Sequence, residues 1–191
     1  MMPILQLPKY FDAARLRKEV DTIPCSDWVP HFVTDNYQGE WSAVALRCTE
    51  RGLIHPILAV APDADPDAKW IDLPLLAQCP YMQEILTSLE CELLSVRLLK
   101  LAPGSRIHEH TDPGVAFEDG EVRLHVPIQS NNKVAIYLDG KPVPMQEGEL
   151  WYCNFSLPHR IDNEGETDRI HLVIDCRVND WLGRLFDSGV I

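Results

Sequence analysis

The second half of the chain is a succession of short strand-like segments with turn residues between them. Residues 122–128 alternate, with a branched apolar side chain at every second position and Arg123 and His125 between them. Asp139 and Gly140 form a strong hairpin signal. Roughly eight such segments at short spacing predict a mainly β fold, a double-sheet jelly roll.

The predicted strands of this half cover residues 93–101, 106–111, 122–128, 134–138, 143–145, 149–154 and 169–178. One short closing segment, residues 181–186, follows them.

The first half of the chain has a mixed pattern. Residues 11–20 and 73–90 read as helices, with Asp12 as the N-cap of the first, and we expect these helices to pack against an outer sheet face. Residues 41–48 and 53–60 read as strands, the second at an edge or a break because it contains Pro56. An acidic loop follows at 62–68.

The chain length predicts one domain. The 191 residues suffice for a single full-sized core, in which residues 1–90 support the barrel and residues 91–182 form its core. Hydrophobic residues make up 46% and charged residues 24%, as in an ordinary globular protein. The net charge of −12 argues against a nucleic-acid or anionic-membrane partner.

The six cysteines contain no Cys-x-x-Cys pair, which argues against a zinc finger. We expect them to be reduced and to act as small buried hydrophobes. The first residues lack the basic start and the long apolar middle of a secretory leader. Since no apolar run approaches the ~18 residues of a membrane span, the sequence predicts a cytoplasmic location.

A possible metal site begins at His110 and Asp112. Because one residue separates them, both side chains would leave the same face of an extended strand, and Pro113 with Gly114 would end that strand at its rim. His159 lies 49 positions after His110. Two imidazoles and one carboxylate can bind one face of a ferrous ion and leave its other positions open.

His108 provides an alternative, because it shares strand parity with His110. His108, His110 and His159 could then bind the metal in a cupin-like metalloenzyme without a co-substrate, such as an isomerase or another dioxygenase. Otherwise His108 would lie near the substrate, at the rim of the site. A third hypothesis is a non-catalytic barrel that binds a small molecule.

Arg169 follows His159 by ten residues, at the start of the last predicted strand. Its planar guanidinium suits both oxygens of a carboxylate, so we expect it to bind the far carboxylate of a dicarboxylate co-substrate on iron. The plainer interpretation is a surface arginine near Glu166 and Asp168.

Arg123 and His125 share one face of a strand whose other face is apolar. If they point inward they would bind an anion, either the near carboxylate of the co-substrate or the substrate, because a buried arginine needs a partner. If they point outward they form the solvent face of a half-exposed strand. Arg97 could likewise point inward, towards a substrate carboxylate.

Several segments together resemble the catalytic domain of the aspartyl/asparaginyl β-hydroxylase family. The resemblance covers residues 93–182, about half of the chain. It is carried by the segments Leu101-Ala102-Pro103-Gly104, His108-Glu109-His110-Thr111-Asp112, 120–128, 148–152, 154–159 and 168–175.

This resemblance implies a double-stranded β-helix and a dioxygenase dependent on Fe(II) and 2-oxoglutarate. It implies His110 and His159 as imidazole ligands of iron, Arg169 on the distal carboxylate of 2-oxoglutarate, and Arg123 and His125 near the end bound to iron. The implied reaction uses molecular oxygen, converts 2-oxoglutarate to succinate and hydroxylates an amino-acid side chain. That side chain would belong to a free amino acid or to a peptidyl aspartate or asparagine.

Two positions depart from the animal peptide hydroxylases of that family. Those enzymes carry glycine where Asp112 stands here, and a serine on 2-oxoglutarate where Leu99 stands. With its fuller set of ligands, the chain resembles the bacterial members and the free-proline hydroxylases.

Overall fold

The computed structural model describes residues 3–61, 63, 65 and 67–190. Its strands are β1 Ile4–Tyr10, β2 Val29–Pro30, β3 Tyr37–Gln38, β4 Trp41–Thr49, β5 Trp70–Asp72, β6 Leu93–Leu101, β7 Arg106–His110, β8 Glu121–Gln129, β9 Val134–Leu138, β10 Lys141–Pro142, β11 Glu149–Cys153, β12 His159–Asn163 and β13 Arg169–Arg177. Its α-helices are α1 Ala13–Val20, α2 Pro56–Val60, α3 Pro80–Thr87 and α4 Asp180–Asp187.

The strands form two sheets that enclose an apolar layer. The larger sheet has the order β1-β11-β8-β13-β6-β4-β2, with β5 paired to β4, and the smaller has the order β10-β9-β12-β7-β3. Leu101 and Trp151 of the larger sheet pack with Ile107 and Ile161 of the smaller. The predicted mainly β jelly roll with flanking helices is therefore confirmed.

The outer face of the larger sheet is apolar and carries the helices. Leu98, Leu124 and Leu172 of neighbouring strands pack there with Leu16 of α1 and Ile85 of α3. These side chains are fully buried or nearly so, which confirms that the N-terminal helices lie against an outer sheet face. Because side chains alternate along a strand, the residues between them point to the opposite face, into the barrel.

The prediction of a strand at 53–60 is wrong. A 3₁₀ helix, Glu50–Ile54, leads there into α2. Pro56 occupies the first turn of α2, where its fixed φ suits a helix and no N–H is needed. The His55 ring accepts a hydrogen bond from the Ile57 N–H at 3.2 Å and so caps this turn.

The other boundaries differ to smaller degrees. Asp12 caps α1 as predicted, by accepting from two backbone N–H groups. The helix expected at 73–90 is shorter, because α3 begins only at Pro80. Residues 143–145 form no strand, and the closing segment at 181–186 is helical. Six strands of the described residues were not predicted, namely β1, β2, β3, β5, β10 and β12.

Four further expectations concern the acidic loop, the division of the chain, the cysteines and a membrane span. Of the acidic loop at 62–68, residues 62, 64 and 66 lie outside the described residues. The division between residues 1–90 and 91–182 stays a prediction, although β4 from the first part pairs directly with β6 from the second. All six cysteines are free thiols, and four of them are buried. No helix in the described part of the chain is both long and apolar enough to cross a membrane.

Candidate metal centre

Two neighbouring strands of the smaller sheet place His110 and His159 side by side. The two residues are direct partners in the pairing of β7 with β12, and their ring centroids lie 4.2 Å apart. Asp112 lies just beyond β7, where its backbone N–H donates to the Phe155 carbonyl at 2.8 Å. One ligand atom from each of His110, Asp112 and His159 lies within 4.8 Å of the others. The structure therefore brings together the three residues that the sequence selected.

His108 does not join them, because β7 contains a β-bulge. His159 pairs with His110, but Ile161 pairs with Ile107, so β7 has one extra residue between these pairs. The bulge turns His108 out of the cavity, leaves it exposed and lets its ring bond to the Asp35 carbonyl at 3.1 Å. The expectation that His108 and His110 share a face is therefore wrong, and the alternative ligand set loses its geometric support.

Both imidazoles of the trio have one nitrogen engaged by the backbone. Nδ1 of His110 lies 2.8 Å from the His108 carbonyl, and Nδ1 of His159 lies 3.0 Å from the Leu157 carbonyl. A carbonyl only accepts, so each Nδ1 carries a proton, and in the neutral form of such a ring Nε2 keeps its lone pair. Burial lowers the pKa of His159 to about 4, so its ring is neutral near pH 7. Neutral imidazoles of this tautomer are suited to binding a metal.

The trio opens into a cavity of about 690 Å³ between the sheets. Four other side chains that the sequence selected line this cavity from the larger sheet. All four are nearly inaccessible to solvent. They are Arg97 on β6, Arg123 and His125 on β8, and Arg169 on β13. The inward orientation holds for all four, and the surface interpretations of Arg123, His125 and Arg169 are wrong.

Arg169 is buried without an acidic partner in the described part of the chain. It is 1% exposed, and its Nη2 lies 3.0 Å from Nδ1 of His171. Among the described residues, its Nε–H has no hydrogen-bond partner. Burial lowers the pKa of Arg169 to about 9, because no carboxylate offsets the loss of water. A buried guanidinium without a neighbouring carboxylate is suited to binding an anion.

His125 and His171 lie beside Arg169. Burial, followed by the charge of Arg169, holds the pKa of both rings well below 6.5, so both are neutral. Arginine only donates, so Nδ1 of His171 accepts from Arg169. Nδ1 of His125, 3.3 Å from that atom, must then carry its own proton. Nε2 of His125 is left as a buried acceptor without a partner.

Arg123 has the opposite surroundings. Its Nε and Nη2 donate to the two oxygens of Asp175 at 2.7 and 3.0 Å, and its Nη1 donates to Oδ2 of Asp112. Nη1 of Arg97 also donates to Asp175, at 3.0 Å, and to Oγ of Ser95 at 2.6 Å. Burial alone would raise the pKa of Asp175, but Arg123 and Arg97 hold it below its usual range. Every charge in this group is compensated.

A stack of aromatic rings forms a further wall, which sequence reasoning missed. The rings of His31 and Trp41 are parallel, with centroids 3.5 Å apart, and Phe32 stacks on the other side of His31 at 4.7 Å. Burial, together with Arg97, lowers the pKa of His31 to about 4, so this wall is neutral. The segment has no periodic pattern, and only a three-dimensional structure could place it at the cavity.

The residues present fit an Fe(II) ion and a dicarboxylate. Two imidazole nitrogens and a carboxylate oxygen are the donors that non-haem Fe(II) takes on one face. The unpartnered Nε–H of Arg169, in the same cavity, would be satisfied by a carboxylate.

Comparison with known proteins agrees with this geometry. The family model described as Aspartyl/Asparaginyl beta-hydroxylase matches residues 12–178. Among curated proteins, the chain is 28% identical over 167 residues to L-proline cis-4-hydroxylase of Rhizobium meliloti (strain 1021). That alignment covers 86% of the chain but only 57% of the relative, so the chain spans little more than half of the relative's length.

Two solved structures share the fold. A 2OG-Fe(II) oxygenase family oxidoreductase from Burkholderia pseudomallei has a TM-score of 0.56 and 14% identity, covering 93% of this chain and 86% of that one. The viral collagen prolyl hydroxylase from Paramecium Bursaria Chlorella virus-1, in complex with 2OG, has a TM-score of 0.52 and 8% identity, covering 93% and 97%. At these identities the likeness concerns the fold alone.

Proposed function

Because the chain belongs to the aspartyl/asparaginyl β-hydroxylase family, we propose that it is a dioxygenase dependent on 2-oxoglutarate and Fe(II). It would hydroxylate an amino-acid side chain and convert 2-oxoglutarate to succinate and carbon dioxide. The observation that supports this most is one cavity holding the trio His110, Asp112 and His159 together with the unpaired Arg169.

In this proposal His110, Asp112 and His159 bind the metal through two Nε2 atoms and one carboxylate oxygen. Bound Fe(II), with 2-oxoglutarate and molecular oxygen, would supply the oxidising power that no protein side chain has. The protein's own task is to bind and orient the substrate and the co-substrate and to keep water out of the cavity. The two sheets exclude water because they bury the polar residues of the cavity wall.

Arg169 would bind the distal carboxylate of 2-oxoglutarate, since it is the cavity arginine without a carboxylate partner among the described residues. His125 and Arg123 would lie near the end of 2-oxoglutarate that is bound to iron. Arg123 keeps one free N–H on each of Nη1 and Nη2 after its bonds to Asp112 and Asp175, so it can still donate there.

The proposed substrate is a small free amino acid, with a peptidyl aspartate or asparagine as the other possibility. Arg97 lines the cavity and would bind the substrate's carboxylate. A free amino acid carries an α-carboxylate, whereas an asparagine inside a peptide carries none, so Arg97 favours the free form over a peptidyl asparagine. The curated relative is named for L-proline, which makes proline the first substrate to test.

The test is oxygen-dependent formation of succinate by the purified protein. The protein is reconstituted with Fe(II) without oxygen and then given 2-oxoglutarate, oxygen and a panel of free amino acids and of Asp- and Asn-containing peptides. We expect succinate and a hydroxylated product with at least one member of the panel, and none with Asp112→Ala. The absence of metal-dependent 2-oxoglutarate turnover with every substrate would contradict the proposal.

A further inference from the structure

Beyond these ligands, we propose that Asp175 is a positioning residue of the metal site. It holds Arg123 so that Arg123 fixes one oxygen of Asp112 and leaves the other for the metal. This role rests on the proposed function, because it has meaning only if Asp112 is a ligand.

Asp175 contacts Arg123 directly. The two residues are direct partners on the adjacent strands β13 and β8, so their side chains leave the same face of the sheet. The carboxylate bonds to the Nε and Nη2 edge of the guanidinium through two parallel hydrogen bonds of 2.7 and 3.0 Å. A pair of parallel bonds fixes the plane and the direction of the guanidinium, which a single bond would not do.

Arg123 in turn contacts Asp112. With its other edge held, Arg123 directs Nη1 at Oδ2 of Asp112. The remaining oxygen, Oδ1, lies 3.6 Å from Nε2 of His110. Oδ1 is therefore the oxygen that completes the trio, and Asp112 would bind the metal through one oxygen only.

Asp112 needs such a restraint more than the two histidines do. His110 and His159 belong to paired strands, whereas Asp112 follows the end of β7 and is held there by one backbone hydrogen bond. Gly114, two residues later, has a φ of +82°, so the chain turns away at once. The Asp112 side chain is also one-third exposed. In the described part of the chain, Arg123 is the only side chain that donates to it.

Arg97 completes the group from the far side of Asp175. Its Nη1 lies 3.0 Å from Oδ2 of Asp175, so one buried carboxylate lies between two guanidiniums. Without that negative charge, two buried cations would face each other, and Arg123 would move away from its position beside Asp112. Asp175 therefore acts on the metal site through charge as well as through geometry.

The test is Co(II) binding by the full chain without 2-oxoglutarate, followed by calorimetry and by the visible absorption of the metal. Asp175→Asn keeps the size of the side chain but removes its charge. We expect it to weaken Co(II) binding by about 10- to 100-fold and to alter the Co(II) spectrum, as changes behind a ligand do. The matched control is Asp72→Asn, which removes an exposed carboxylate paired with Arg47 and should bind Co(II) like the wild type.

A second variant covers the possibility that Asp175→Asn does not fold. Arg123→Lys keeps the positive charge but cannot hold Asp175 and Asp112 together, so it should weaken Co(II) binding in the same direction. Thermal melting shows which variants are folded. If neither variant folds, the group serves folding rather than positioning, and the proposal is overturned.

The remaining outcomes separate this proposal from the proposed function. If the wild-type protein binds no Co(II), the metal site itself is wrong. If the wild type binds Co(II) and folded Asp175→Asn binds it within about twofold, with an unchanged spectrum, the metal site stands and the role of Asp175 is overturned.

Discussion

Arg169 and Arg123 lie on neighbouring strands, face the same cavity and are both buried, yet their surroundings are opposite. Arg123 bonds to two carboxylates, whereas Arg169 bonds to the neutral ring of His171 and leaves its Nε–H without a partner. A compensated buried charge is fixed in place, while an uncompensated one is costly and is relieved by an anion. The first arrangement is suited to positioning other groups, and the second is suited to binding an anionic ligand.

The largest expected effect separates the two arginines by their influence on stability. Arg123→Met should lower the free energy of unfolding by about 3–5 kcal/mol, because it leaves buried carboxylate charge uncompensated. Arg169→Met should leave the stability of the ligand-free protein unchanged or raise it, because it removes a buried charge that has no partner. Denaturant unfolding of both variants measures the difference. A loss of similar size in both would contradict the comparison.

Acid should destabilise the protein through its buried neutral histidines, among them the two rings beside Arg169. His125 and His171 stay neutral in the folded protein because burial lowers their pKa, but in the unfolded chain they take up protons below pH 6.5. Stability is therefore lost as the pH falls, by about 1 kcal/mol for each ring from pH 6.5 to 5.5, and by about 1.4 kcal/mol per pH unit for each ring at lower pH. Asp175 keeps its charge over this range, because its pKa is lowered.

Unfolding measured across this pH range tests the expectation. His171→Gln removes one of the two rings, so its stability should fall less steeply with acid than that of the wild type. An equal slope in both proteins would show that His171 is not held neutral by the fold.

The affinity for 2-oxoglutarate should depend on Arg169. In Arg169→Met the KM for 2-oxoglutarate should rise by about 100-fold or more, since a buried charge-assisted pair with a carboxylate is lost. Metal binding measured without 2-oxoglutarate should not change, because Arg169 contacts none of the three proposed ligands. A normal KM in this variant would mean that Arg169 does not bind the co-substrate.

The smallest effect is expected for an ion pair outside the cavity. Arg15 and Glu84 lie 3.1 Å apart on the surface, and both side chains are more than half exposed. Glu84→Gln should change the free energy of unfolding by less than about 1 kcal/mol, because water screens exposed pairs. A larger loss in thermal unfolding would show that ion pairs in this protein gain strength without burial.

The sequence predicted those parts of the molecule that depend on local patterns. Strict alternation at residues 122–128 led to β8, and the order of His110, Asp112, His159 and Arg169 led to a shared cavity. The prediction at residues 53–60 was wrong because a short apolar run fits either a strand or a helix. Pro56 decided the outcome through its position in the first helical turn.

Pairing across strands was beyond the reach of the sequence. Arg169, His171 and Asp175 alternate along the last strand, but only the register of β13 against β8 shows that Asp175 meets Arg123. The aromatic wall at His31 and Trp41 has no local signal either. His108 was a candidate because it and His110 would share a face on a regular strand. The bulge in β7 adds one residue, which puts the two side chains on opposite faces.

That extra residue also makes the two paired strands differ in how their coding sequence can change over time. Turns between strands accept gained or lost codons, because their length has little effect on the strands they join. Between Ile107 and His110 a single lost codon would leave a regular strand in which both side chains still face the cavity, because residues two apart share a face. Between His159 and Ile161 on β12, which has no extra residue, a lost codon would turn one of these two side chains outwards. Lineages of this protein should therefore vary in loop length and at the bulge, while the spacing of His159 and Ile161 stays fixed.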